Sequence, residues 1–501
     1  MAIVRCAVLA LAVALACVRP AAAQNSPTAP LLRVVVSTSG RAIFDSLLAT
    51  IATRANLADQ LSVKYADPLT ALRNFCQNTA GSSPDIVLAT HRMQAALTTE
   101  CANNGVGDVA VVELGRSALI LAVRSGSMLS GLTSRQVYLA LARDVPVHQE
   151  FVRNTAARWS DVDPALPAQD IRFQLPMRDD GSRAMFDELV LEGGCRNETA
   201  VKAIFIAPQR SARCTTTRFD RIREIPRAQA VRTLLEAPVG TVGVLSQVDI
   251  MRSGGQLVGV VLDGMSPTED NILSASYDYS TSFWLYAKRG QSASPAVAVA
   301  IERIVAQAQS EAVIGPDGPL SGLGLVPLPA DERAGQRAAL AASTVPFGLG
   351  SVAGWVTATL SGTWTMLAAG FTLAQPTGPG VQDFTSLMDL AGYRITGISS
   401  SIGIIPDASM TFGIAREMSD ADQAYLERAL YRDSLRRAGA LSTLQRRIIR
   451  TIMGVSEVGS FEVSKVELDF VPLPKVSFAV SPKDVLRANG QQPAPDAGDG
   501  E

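Results

Sequence analysis

Between residues 31 and 335 short apolar runs alternate with amphipathic stretches, and this order restricts the fold more than any other feature of the chain. "LRVVVST" reads as a strand, and "RAIFDSLLATIATRAN" as a helix with apolar residues at helical spacing. "LSVKY", "PDIVLAT", "SALILAV", "IRFQLP", "GTVGVLS" and "LVGVVLDG" read as further strands. "PLTALRNFC", "TSRQVYLALAR" with Thr133 as its N-cap, "SRAMFDELVLEGG" and "SPAVAVAIERIVAQAQSEAVIG" read as helices between or after them. Such alternation specifies an α/β protein with largely parallel sheets. No internal repeat is present.

Of 501 residues, 47% are hydrophobic and 18% charged, enough to bury a sizeable core in two to four domains. The net charge of −2 and an aromatic content of 5% exclude a nucleic-acid binder, which needs a basic face and stacking rings.

Arg5 precedes the apolar run "CAVLALAVALACV", which ends at Pro20 and three alanines. This is a secretory signal peptide over residues 1–23, with cleavage before Gln24, so a periplasmic location is expected. Lipoprotein anchoring through Cys17 is not expected, because Ala14 is a poor residue three positions earlier. Four cysteines remain after cleavage, and an even count in an exported chain favours disulfides. Local pairing, Cys76 with Cys101 and Cys195 with Cys214, is expected, with free buried thiols as the alternative. No cysteine or histidine spacing suggests a metal, and no cofactor is indicated.

Residues 338–382 carry no charge and are rich in Gly, Ser and Thr. Within them 349–375 could be read as a membrane span, but its polar small residues and strand-like alternation oppose that, and the GxxxG at 350–354 is a weak signal. Residues 383–485 read as a smaller α+β domain. It has strands turning at Pro406 and Asp407, then a helix capped by Ser419 with Asp422 in the capping-box position. A second helix carries Arg446, Arg447 and Arg450 on what reads as a solvated face, and two more strands follow. Residues 486–501 read as a disordered tail.

Several blocks then come in a recognisable order: "FCQNTAGSSPDIVLATHRMQ" with "ECANNGV", "LTSRQVYLALARDVP", "WSDVDPALPAQDIRF", "DDGSRAMFDELVLEGGC", "VGTVGVLSQVDI", "GMSPTEDNILSASYDYSTSFWLYAK" and "LGLVPLPADER". Across residues 31–335 the chain resembles the phosphate-binding periplasmic solute-binding proteins of ABC importers, proteobacterial type. The resemblance implies a two-lobed periplasmic-binding-protein fold of type II with a hinge. One lobe would hold about 31–116 and 254–335, the other about 117–253. Ligand would sit in the cleft, held by hydroxyls and by helix N-termini, whose unpaired N–H groups suit an oxyanion.

Carried over position by position, the first turn falls on Thr38, Ser39 and Gly40, after Ser37. The second, glycine-rich in the family, here reads "ADPLTA" and substitutes Asp67 and Pro68. The third becomes Ala89-Thr90-His91, followed by Arg92. The fourth becomes Asp179-Asp180-Gly181-Ser182-Arg183, retaining its last three residues. Thr38, Ser39, Gly40, Thr90, His91, Arg92, Gly181, Ser182 and Arg183 are thus the expected ligand residues. Asp67, Asp179 and Asp180 oppose an anion unless they pair with Arg178, Arg183 or Arg92.

The resemblance implies binding of phosphate or a related oxyanion and delivery to an inner-membrane ABC permease. The altered turns suggest weakened or lost phosphate binding. The alternative is a scaffold or sensor in the cell envelope, built on the same fold with a degenerate cleft and meeting a partner through residues 338–485. An enzyme is not expected: Ser182 and His91 are the sole nucleophile–base candidate, and no GxSxG elbow or P-loop occurs.

Overall fold

The computed structural model describes residues 31–78, 82–93, 95–274, 276–289, 294–342, 379–401, 407–436, 440–457, 461–471 and 475–490. The signal peptide, Cys17, the 349–375 segment with its GxxxG, and the Pro406 turn lie outside the described residues.

Two five-stranded sheets carry the first three-fifths of the chain. In the first, the order is Leu61–Ala66, Leu32–Ser37, Ile86–Ala89, Ser280–Lys288, Val109–Ala118. The first three strands are parallel, and Ser280–Lys288 runs antiparallel to both of its neighbours. In the second, the order is Ile222–Ile225, Phe173–Pro176, Val242–Leu245, Ile120–Arg124, Leu257–Gly259. Again three parallel strands are followed by antiparallel pairings. The sheets are therefore mixed rather than largely parallel. The exceptions are strands that enter or leave through the hinge and so need no helical crossover beside their neighbour.

Each sheet has its own core. The Arg41–Arg54 helix buries Ile43, Phe44, Leu47, Leu48 and Ile51 against the first sheet, the apolar face that its spacing predicts. Phe44 meets Phe283 of the sheet with ring centroids 4.9 Å apart. In the second lobe Phe173 and Phe186 pack among Leu121, Leu175 and Val242. Thr133 caps its helix in a full capping box with Gln136. The chain leaves the first sheet at Ala118 and enters the second at Ile120. It returns beside that crossing, where Leu119 N donates to Tyr279 O at 2.9 Å and Tyr277 OH donates to Leu119 O at 3.1 Å. Leu257–Gly259 pairs with Ile120–Arg124, so the second crossing falls after residue 259 rather than at 253.

The expected "SRAMFDELVLEGG" helix begins as Gly181–Phe186 but widens into a π-helical stretch, Asp187–Glu192. Such widenings recur at functional sites, and this one presents Glu188 and Glu192. Both expected disulfides are formed, Cys76–Cys101 in the first lobe and Cys195–Cys214 in the second.

The C-terminal region is an α+β domain. Its sheet is an antiparallel meander of Tyr393–Ser401, Asp407–Ile414, Phe461–Val471 and Lys475–Pro482. The Pro379–Leu390, Asp420–Arg436 and Ala440–Glu457 helices contribute Phe384, Met388, Leu426, Leu430, Ile448, Ile449 and Ile452 to its core. The expected tail begins within a helix, Lys483–Gly490, because its apolar and basic residues recur at helical spacing; residues beyond 490 are outside the description. No described helix is long and apolar enough to cross a membrane.

Candidate functional site

Three of the four strand-to-helix turns border cavities: Gly40 of the first and Gly181 of the fourth share one, and Thr90 of the third borders another. At the first, Gly40 has φ 76°, a left-handed conformation that favours glycine. A Cβ there would also stand 2.6 Å from the Phe283 ring. At the fourth, a Cβ on Gly181 would stand 2.4 Å from the Gly40 nitrogen and 3.1 Å from Thr38 O. The first and fourth turns, one from each lobe, therefore touch backbone to backbone.

The carboxylates that looked opposed to an anion have a defined task. Asp180 caps the Gly181–Phe186 helix: its Oδ1 accepts from Ser182 N at 2.8 Å and from Ser182 Oγ at 2.5 Å. Asp67 caps the Pro68–Cys76 helix, accepting from Thr70 N at 2.9 Å. In both turns the donors that could hold a ligand oxygen hold a carboxylate of the chain itself. Asp179 is exposed at the turn.

Of the arginines offered as possible partners for these aspartates, Arg183 and Arg178 meet other carboxylates. Arg183, almost wholly buried, donates through Nε to Asp187 at 2.8 Å and through Nη1 to Glu224 at 3.2 Å. Arg178 meets the same Glu224 oxygen at 3.2 Å. Arg92 lies over the Trp284 ring, 5.8 Å from its centroid.

At the third turn, Thr90 Oγ1 and His91 Nδ1 are 3.2 Å apart, and Thr90 O accepts from Thr281 Oγ1 at 3.1 Å. His91 Nε2 lies 3.9 Å from Glu188 Oε1 on the π-stretch of the other lobe. Burial holds the imidazole below its usual pKa, against the pull of Glu188. Arg428, from the C-terminal domain, places Nη1 3.2 Å from the same Glu188 oxygen.

The Asp420–Arg436 helix, here the cleft helix, therefore lies across the mouth between the lobes. Ala424, Glu427 and Arg428 border one cavity together with Thr90, His91 and Arg92. Gly40, Asp180, Gly181 and Ser182 border a separate one, with Ser117, Gln174 and Ser246. The expected ligand residues are thus divided between two spaces. Thr38, Ser39, Asp67, Asp179 and Arg183 line neither. Ser182 and His91 do not meet among the described contacts: one hydroxyl serves Asp180, the other side chain faces Glu188.

Sequence reasoning did not find Glu188, Glu192, Arg196, Arg210 or Arg428. Arg196 Nη1 is 3.6 Å and Arg210 Nη2 is 3.2 Å from the two oxygens of buried Asp422. Burial works against the Asp422 carboxylate, yet Arg196, Arg210 and Arg416 bring its pKa below the usual value. Ser419 Oγ donates to Glu192 Oε2 at 3.2 Å. Burial, and then the charge of Asp422, push the Glu192 carboxyl up to about 7. No local signal marks these residues, because their partners lie 212 and 240 residues away in the Arg210–Asp422 and Arg428–Glu188 pairs.

Two mixed sheets joined by a hinge define a two-lobed fold of the periplasmic-binding-protein kind. The chain belongs to the family described as the PBP superfamily domain, which matches residues 21–300. Among solved structures it is similar to a possible phosphate binding protein from Planctomyces limnophilus, at 13% identity and TM-score 0.46, covering 62% of this chain and 97% of that one. It is also similar to PstS from Borrelia burgdorferi, at 14% identity and TM-score 0.39, covering 60% and 99%. An ABC-type phosphate transport receptor from Vibrio cholerae is similar at 16% identity and TM-score 0.38, covering 56% and 94%. No curated protein matches the chain.

Proposed function

We propose that this chain is an exported protein of the periplasm that uses the solute-binding fold as a scaffold or sensor, rather than as a phosphate-delivery component. The observation that carries this reading is the Asp180 cap. A carboxylate already fills the Ser182 N–H and hydroxyl that the fourth turn would offer to an oxyanion. A bound phosphate would have to displace it or sit beside it, and like charges repel strongly in a cleft shielded from water. Asp67 repeats the arrangement at the second turn.

The second reading is binding of phosphate or a related oxyanion for an inner-membrane ABC permease. One observation favours it beyond family membership: the buried Ser37 hydroxyl, beneath the first turn, has no hydrogen-bond partner among the described residues.

Calorimetric titration of phosphate into residues 24–501, beside an Asp180→Ser variant, separates the two. Serine caps a helix about as well as aspartate, so the variant removes the charge and keeps the cap. No heat from the unmodified chain, with binding gained in Asp180→Ser, supports the scaffold or sensor. Micromolar or tighter binding by the unmodified chain supports the importer.

A further inference from the structure

The two cavities at the turns enclose only about 50 and 80 Å³. A third, at the seam between the second lobe and the C-terminal domain, encloses about 680 Å³. That lies within the range of small-molecule sites, roughly 300–1,000 Å³. Arg135, Arg196, Asn197 and Asp263 border it from the second lobe, and Asp389 and Tyr425 from the C-terminal domain.

The charged groups on these walls are already held by the chain. Arg135 Nε donates to Glu198 Oε1 at 2.5 Å. Asp389 Oδ2 receives Lys202 Nζ at 2.7 Å, and its Oδ1 lies 3.4 Å from Arg416 Nη1. Asp263 accepts from Ser134 N at 3.0 Å and from the Tyr279 hydroxyl. Arg196 pairs with Asp422 at 3.6 Å and lies over the Tyr425 ring, 4.4 Å from its centroid. Asp278 borders both this cavity and the one at the third turn, whose walls hold Arg92 and Arg116. A solute with a net charge would have to compete with partners already in place.

What the walls retain is hydrogen-bonding capacity. A carboxylate has about four lone-pair positions and a guanidinium five N–H groups, so Asp263, Asp389 and Arg135 can each bind a hydroxyl beside the partner they already have. Asn197 is exposed and adds a donor and an acceptor. Arg196 has donor capacity that the chain leaves unused, because its Nε and Nη1 have no hydrogen-bond acceptor among the described residues. Leu189, Leu390 and the Tyr425 ring supply apolar faces between these polar groups. Fixed planar donors and acceptors beside apolar faces suit a molecule with hydroxyls around its edge and C–H groups on its faces. We infer that the seam cavity binds a short, uncharged saccharide. Such a solute touches the second lobe and the C-terminal domain at once, so its binding stabilises their docked arrangement. The site is apart from the turns, and the inference does not depend on whether they bind phosphate.

Gly193 provides the test. It lines the cavity with φ −55° and ψ −48°, a helical conformation open to any residue, and a Cβ there would meet nothing within 4 Å. Gly193→Leu therefore places a side chain in the cavity without a clash at its Cβ. The probes are maltose, cellobiose and diacetylchitobiose, with inorganic phosphate, glutamate and putrescine as charged counterparts. Each is titrated at millimolar concentration into residues 24–501, with saturation-transfer NMR and the thermal midpoint as readouts. The expected result is saturable binding of at least one saccharide with a raised midpoint. That binding should be weaker by roughly tenfold or more in Gly193→Leu, whose own midpoint does not fall. Should Gly193→Leu not fold, Asn197→Ala, at an exposed position, must weaken the same binding. Absence of binding by all three saccharides overturns the inference. So does saccharide binding that is undiminished in the folded variant, or tighter binding of a charged probe that Gly193→Leu abolishes.

Discussion

Arg428 Nη1 lies 3.2 Å from Glu188 Oε1, so the C-terminal domain reaches into the cleft and closes a charge pair on the second lobe. His91 of the first lobe stands 3.9 Å from the same oxygen. Three parts of the chain thus converge on one carboxylate.

Removing Arg428 leaves Glu188 partly buried without its guanidinium. Arg428→Ala is expected to destabilise the native protein by about 1–3 kcal/mol, read as a lower urea midpoint. Glu188→Gln removes the charge from the other side, and the double variant should cost less than the sum of the two. Additive losses would mean that the two side chains do not interact.

Gly181→Ala should prevent the lobes from closing as they do. Its Cβ would be 2.4 Å from Gly40 N, a backbone atom that cannot rotate away. The expected loss is about 1–3 kcal/mol, with an increased radius of gyration in small-angle scattering. An unchanged radius and unchanged stability would show that the turns do not touch in solution.

Glu192 makes docking sensitive to pH. Its folded-state pKa is raised from 4.5 to about 7, by burial first and Asp422 second. A raised carboxyl contributes stability that is complete below its unfolded pKa and is lost as pH rises through the folded one. His91 acts in the other direction: its folded pKa is lowered by burial, so its contribution is lost as pH falls below the usual imidazole value. Stability read from denaturant midpoints should fall between about pH 4.5 and about pH 7, by roughly 1–3 kcal/mol for Glu192, and level off above that. Glu192→Gln should flatten that decline and leave the His91 effect in place. A decline that persists in Glu192→Gln would assign it elsewhere.

Reduction of Cys195–Cys214 should loosen the arginine pair that holds Asp422. The bridged residues are 19 apart in sequence, and a loop of that size stabilises by about 3 kcal/mol in the chain-entropy model. Proteolysis under reducing conditions should release the C-terminal domain before either lobe is cut. Release at the same rate with and without reductant would contradict this.

Much of the fold was legible in sequence because its causes are short-ranged. Apolar spacing set out the Arg41–Arg54 helix, the Thr133 box marked a helix start, and cysteine proximity indicated both disulfides. The Ser419–Asp422 box is also formed, with Asp422 N donating to Ser419 Oγ at 3.1 Å. The site was less legible. Asp180 read as a charge opposing a ligand, but its oxygen faces the next helix's own donors. Arg183 read as a ligand residue, but it is buried between Asp187 and Glu224. Residue type gave their chemistry without giving the direction of the side chain.

The sequence by itself determined an α/β region followed by a smaller α+β domain, because periodicity and caps act over a few residues; the two lobes and the carboxylates at their turns were legible only as what the family resemblance implied. Only the tertiary structure decided that the third domain lies across the cleft. The pairs that hold it there, Arg210 with Asp422 and Arg428 with Glu188, are separated by 212 and 240 residues. Contacts at that range leave no local pattern, and a buried charge in a helix reads like a solvated one until its partner is placed beside it.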